Sequence, residues 1–222
     1  MPGFRDFERT VAAVCDGQTR EDKGVFDVLV PVSAGDLPFG ISCKMSRTQP
    51  GLHNASFMEL TNSAKKFSDE FARLNLSWVH NPAMAGNAFV ELVSGWHTIL
   101  RHEVDVPRSV YLVLAHDAKW VNFELNCFPL NLKVANPSTD VEWTVEGTRA
   151  PTTINGYITD GGRRHRLWQL YPNSGGQLKY YPPLTWATWR SGTFKLELPP
   201  LESLHERAME YFPALWSAAL DP

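Results

Sequence analysis

Two apolar runs separated by a short polar turn constrain this chain more than any other feature. Phe26-Asp27-Val28-Leu29-Val30-Pro31-Val32 comes first. Ser33-Ala34-Gly35-Asp36-Leu37-Pro38 follows, and then Phe39-Gly40-Ile41-Ser42-Cys43-Lys44. Runs rich in Val, Ile and Phe, bounded by Gly, Pro and Asp, predict two strands joined by a loop. Successive side chains on a strand point to opposite faces. Phe39, Ile41 and Cys43 therefore share one face, and Gly40, Ser42 and Lys44 the other. The first face is apolar and belongs in a core. The second ends in a hydroxyl and an ammonium. Antiparallel pairing brings the outer ends of the hairpin together, which sets Asp27 beside Lys44.

Helical spacing flanks the hairpin on both sides. Phe4, Phe7, Val11 and Val14 recur on one stripe, which predicts a helix over Phe4 to Cys15 with Glu8 at the edge of the stripe. Phe57, Leu60, Ala64, Phe67, Phe71 and Leu74 fall three and four apart, which predicts a helix over Ala55 to Leu74. Glu59, Asn62, Ser63 and Lys66 lie off that stripe, where an acid is often a plain solvated charge. Asn81 to Asn87 reads as a loop and Ala88 to Arg101 as a second amphipathic helix. Val110 to Ala115, Trp120 to Leu125, Glu142 to Val145 and Thr152 to Ile158 read as strands. Trp186 to Leu198 closes the sheet region, and Leu201 to Leu220 carries a last helical stripe.

Asp27, Ser42-Cys43-Lys44 and Glu59 together resemble the pattern of the PD-(D/E)XK nucleases. That pattern has an Asp on the first strand of a hairpin and an acid-x-Lys on the next. The match covers roughly residues 4 to 70. Asp27 is flanked by Phe26 and Val28, so the Pro of the pattern is missing, and Ser42 stands where the second acid would be. Some restriction endonucleases of this family carry Ser-x-Lys on the strand and place the missing acid on the following helix, and Glu59 is similar in position. The resemblance implies an α/β (mixed α+β) restriction-endonuclease-like core, a central mixed sheet flanked by helices. It implies Mg²⁺ held by Asp27 and Glu59, with Ser42 a hydrogen-bonding substitute at the vacated acid position. Lys44 would position the attacking water or neutralise the phosphate, and Glu8 would be an accessory acid from the preceding helix. The partner it implies is double-stranded DNA, cut at a specific site as by a Type II enzyme. A palindromic site would call for a homodimer or higher homo-oligomer.

The length of 222 residues suits one domain, with a catalytic core over roughly 4–125 and a DNA-recognition elaboration over roughly 126–222. A net charge of -3 excludes a globally basic nucleic-acid coat, so positive charge has to be concentrated in a cleft. The densest basic cluster is Arg163-Arg164-His165-Arg166, within a Gly-rich stretch from Asp160 to Pro183 that also holds Gln177 and Lys179. Arg can read guanine and Gln adenine, and basic side chains also hold phosphates. Arg163, Arg164, Arg166, Gln177 and Lys179 are thus expected DNA contacts, with Arg47, Asn62 and Lys66 nearer the hairpin. An exposed basic loop is the plainer alternative for this stretch.

Three cysteines with no close pair argue for a reducing, cytoplasmic setting. The chain has no apolar leader and no run of membrane-spanning length, so no membrane partner is expected. No nucleophile elbow, phosphate-binding loop or dinucleotide fingerprint occurs. The His residues lack metal-ligand spacing, and His97 and His102 read as structural. Metal-dependent hydrolysis is the main enzymatic expectation. The alternatives are a structure-specific repair or recombination nuclease and a non-catalytic module that binds DNA or sugar.

Overall fold

The computed structural model describes residues 3–20, 24–33, 35–47, 57–62, 64–130, 141–173, 176–196, 206 and 209. Among these residues the fold is mixed α+β, with two sheets and three α-helices. Helix α1 (Phe4–Val14) starts where the Gly3 N–H donates to Asp6 Oδ2 at 2.7 Å, and ends where Asp16 adopts a left-handed backbone with φ 50. Phe7 and Val11 of the expected stripe are buried, with Ala12 beside them, whereas Phe4 and Val14 at its two ends are exposed.

The first sheet is built around the expected hairpin. Strand β1 (Gln18–Thr19) pairs with β2 (Val28–Val30), and β2 pairs antiparallel with β3 (Phe39–Arg47) through Val28↔Ile41, Leu29↔Gly40 and Val30↔Phe39. Gly40 is glycine because the Phe26 ring crosses the strand there. A Cβ at Gly40 would stand 2.3 Å from that ring. Strand β5 (Val110–His116) runs parallel to β3, with Ser42 beside Tyr111 and Lys44 beside Val113. Strand β6 (Asn122–Pro129) pairs antiparallel with β5, and β11 (Trp189–Lys195) closes the edge. The order is β1-β2-β3-β5-β6-β11.

A parallel pair needs a long crossover. The connection from β3 to β5 contains strand β4 (Met58–Asn62) and helices α2 (Ala64–Arg73) and α3 (Pro82–Ile99). β4 is the edge of the second sheet, whose order is β4-β10-β9-β8-β7. Its other members are β7 (Glu142–Glu146), β8 (Thr153–Asp160), β9 (Arg163–Leu170) and β10 (Gln177–Tyr180). The larger core gathers Tyr111, Val113 and Phe128 from the first sheet, Phe67, Phe71, Phe89 and Val93 from the helices, and Ile154, Trp168, Leu178 and Tyr180 from the second sheet. A smaller core lies under α1, where Phe7 and Val11 meet Val28, Val30, Ile41 and Cys43.

Three sequence expectations are corrected here. The helix over Ala55 to Leu74 is shorter, because Met58 to Asn62 joins β10 as a strand. Leu60, Ala64, Phe67 and Phe71 keep a helical interval by coincidence across the junction. The alternation of Met58 and Leu60 with Glu59 and Thr61 was the local strand signal, and pairing with β10 decides the outcome. The loop over Asn81 to Asn87 is helix, since Pro82 at the first turn needs no N–H partner. The stretch from Asp160 to Pro183 is mostly strand: Gly161 and Gly162, at φ 55 and 76, make the tight turn between β8 and β9. Apart from Glu206 and Met209, the stripe over Leu201 to Leu220 lies outside the described residues.

Candidate active site

Strand β2 stops at Val28, one residue after Asp27, and β3 continues past it. The Asp27 N–H still donates to the Ile41 carbonyl at 3.0 Å. Beyond that bond β3 has no β2 residue opposite it, and the Asp27 side chain takes the vacated place. Its Oδ2 accepts from the Cys43 N–H at 2.7 Å and from the Ser42 hydroxyl at 3.4 Å. Lys44 Nζ stands 3.8 Å from the same oxygen. The Asp27 and Lys44 side chains are 27 % and 22 % exposed, so the pair is sheltered yet open to a ligand.

Helix α1 brings a second acid to this point. Burial raises the Glu8 pKa first, and the negative charge of Asp27 raises it further, against the opposing pull of Lys44, Arg5 and Arg9. Burial, with Asp27 and Glu8 adding to it, pushes the Cys43 thiol up to about 12, so it is a neutral, buried side chain rather than a nucleophile. Asp27, Ser42 and Lys44 therefore meet at one carboxylate oxygen, and Glu8 lies within electrostatic reach of Asp27 and Lys44.

Glu59 does not join them as a helix residue. It stands on β4 directly opposite Lys179 of β10, while its neighbours Met58 and Tyr180 face the core. That register turns Glu59 to the outer face of the second sheet. Asn62 ends the same strand, paired with Gln177, and is not on a helix either.

Lys66, on α2, lines a cleft of about 360 Å³ together with Ser42 and Lys44. Its ammonium lies 4.6 Å over the Trp96 ring, a cation–π contact that fixes the charge at the cleft wall. His97 and Tyr111 form the floor, with His97 Nε2 and the Tyr111 hydroxyl 2.9 Å apart. Burial drives His97 down to about 4, so the ring is neutral at physiological pH. The sequence reading treats His97 as structural and leaves Trp96 and Tyr111 aside. Tyr111 could not be placed from sequence, because it reaches Ser42 only through a parallel pairing of distant strands.

Arg47 ends β3 and is exposed; alternation places it on the face of Cys43 and Met45, opposite Lys44. Arg163, Arg164, Arg166, Gln177 and Lys179 belong to strands and not to a loop. Arg164 forks onto Glu142 with two bonds of 3.1 Å and lies 3.6 Å over the Tyr157 ring. Arg166 lies 4.6 Å over Tyr181, and Lys179 stands between Phe57 at 4.6 Å and Tyr171 at 4.9 Å. These cations sit on aromatic rings of the second sheet and not beside the Asp27 cluster.

Among the described residues no helix is long and apolar enough to cross a membrane. No protein-family model, curated protein or solved structure matches the chain.

Proposed function

We propose that this protein is a metal-dependent nuclease that hydrolyses phosphodiester bonds in duplex DNA, built on a restriction-endonuclease-like hairpin. The observation that carries the reading is the juxtaposition of Lys44 with Asp27 at 3.8 Å, with Glu8 close enough to feel the charge of Asp27. In this reading Glu8 takes the part that the sequence pattern gave to Glu59.

The donor set fits Mg²⁺. The Glu8 carboxyl lies within electrostatic reach of the partly exposed Asp27 carboxylate, whose charge raises its pKa, and a divalent cation relieves repulsion of that kind. Mg²⁺ is commonly held by one or two carboxylates and keeps several waters. When bound there, the ion would supply an acidified water and positive charge against the scissile phosphate. The protein's own contribution is positional. The Cys43 N–H and the Ser42 hydroxyl fix the rotation of the Asp27 carboxylate, which spares it reorientation during the reaction. Lys44 holds the attacked phosphate or the attacking water against that carboxylate. Lys66 extends the positive wall along the cleft, which meets the need for local charge in a chain of net charge -3.

The form of the activity implied by the sequence resemblance is site-specific cutting by a two-fold dimer. Chelation tests the chemistry, and run-off sequencing of the products tests the specificity. A supercoiled plasmid incubated with Mg²⁺ or Mn²⁺ is expected to yield discrete linear fragments, and none in EDTA. Equal cleavage in chelator would refute the metal-dependent reading, and scattered ends would refute site-specificity alone.

A further inference from the structure

The cleft beside the catalytic cluster has a composition that the hydrolytic step does not require. At about 360 Å³ it lies at the low end of pockets that enclose a small molecule, which run from roughly 300 to 1,000 Å³. It shares Ser42 and Lys44 with the cluster, so anything in it adjoins the reacting phosphate. Its described lining contains two ammoniums, Lys44 and Lys66, and no carboxylate. Leu60, Val93, Trp96 and Leu100 give it an apolar side, next to the hydrogen-bonded His97 and Tyr111. The Lys66 ammonium lies over one face of the Trp96 ring, Nζ 4.6 Å from its centroid, so cation and indole meet at the same wall of the cleft. A nucleotide carries both an anion for the two ammoniums and an aromatic base for the apolar side of the cleft.

A base inside a duplex cannot reach into a cleft of this size without leaving the stack, and a mismatched or unpaired base leaves most easily. We propose that this cleft receives one unpaired nucleotide of the DNA strand being cut, its base against Trp96 and its phosphate between Lys44 and Lys66. The proposal rests on the nuclease reading and narrows its substrate to DNA that offers an unpaired nucleotide next to the scissile bond. Base–aromatic contact tolerates any base, so the cleft adds a preference for an unpaired nucleotide to whatever site choice the duplex contacts supply.

The test uses two duplexes, one fully paired and one with a single unpaired 2-aminopurine at its centre. Binding is followed in EDTA by 2-aminopurine fluorescence, and cleavage in Mg²⁺ under single-turnover conditions. The wild type is expected to change the fluorescence on binding and to cut beside the unpaired nucleotide about tenfold or more faster than the paired duplex. Trp96→Leu is expected to abolish both effects, and Trp96→Phe to retain them. Trp96 packs against the core, so Lys66→Gln, at an exposed helix position, supplies a second variant that should weaken the same preference. Unchanged fluorescence on binding, or equal cutting of the two duplexes, overturns the proposal while leaving the nuclease reading intact. Absence of cutting on both duplexes contradicts the nuclease reading. The fluorescence change in EDTA still decides whether a nucleotide enters the cleft.

Discussion

Lys44→Ala is expected to lower single-turnover DNA cleavage by about 10²- to 10⁴-fold, the range in which one positioned proton-transfer or charge-stabilising group acts. The fold should be little affected. The Asp27–Lys44 contact is 3.8 Å long and partly exposed, and pairs of that kind contribute little to stability. DNA affinity in EDTA should change only a few-fold, because one ammonium among several contacts sets little of the total attraction. Loss of the ammonium also removes the one influence of β3 that holds the Glu8 proton affinity down. The residual activity should therefore need a higher pH than the wild type does. If affinity and cleavage fall by the same factor, Lys44 is a plain phosphate contact and its catalytic role is wrong.

Glu8→Gln is expected to abolish most cleavage and at the same time to stabilise the metal-free protein at neutral pH. The sign follows from the direction of its shift. Burial and Asp27 raise the folded-state pKa of Glu8 above its ordinary value. Between the two values the folded protein binds more protons than the unfolded chain, so stability falls as pH rises through that window. Above it, ionised Glu8 is a standing cost to the fold. Gln removes that cost, so the melting temperature should rise at neutral pH, and the difference should vanish in acid where Glu8 is protonated in both states. Glu59→Ala is the matched control, because Glu59 stands opposite Lys179 on the outer face of the second sheet. It should keep near-full cleavage. Full activity in Glu8→Gln with loss in Glu59→Ala would return the second acid to the crossover segment.

The hairpin was legible because its information is local. The alternation from Phe39 to Lys44 and the position of Asp27 placed a carboxylate, a hydroxyl and an ammonium together without any knowledge of the rest of the chain. The middle of the α1 stripe, Phe7 and Val11, was equally plain, and with it the edge position of Glu8; its ends, Phe4 and Val14, are exposed. Glu59 was misplaced because Leu60, Ala64, Phe67 and Phe71 extend a helical period backwards into residues that a distant strand captures. The period of two at Met58 and Leu60 competed with it over too short a span to decide. The basic stretch misled for a related reason. Glycines at a two-residue turn look like a loop, although Leu167, Trp168 and Leu170 on the same segment are core. Trp96, His97 and Tyr111 carry no motif, and their assembly into one cleft depends on the parallel pairing of β3 with β5.

The central claim is that Asp27 and Glu8 hold one divalent ion between them beside Lys44. Electron paramagnetic resonance reads it directly, since the free Mn²⁺ signal falls as the ion binds and Mn²⁺ takes the oxygen ligands that suit Mg²⁺. The wild-type protein should remove the free-ion signal with a site that both Asp27→Asn and Glu8→Gln weaken severely and that Glu59→Ala leaves unchanged. A titration that is the same in the wild type, Asp27→Asn and Glu8→Gln would contradict the account.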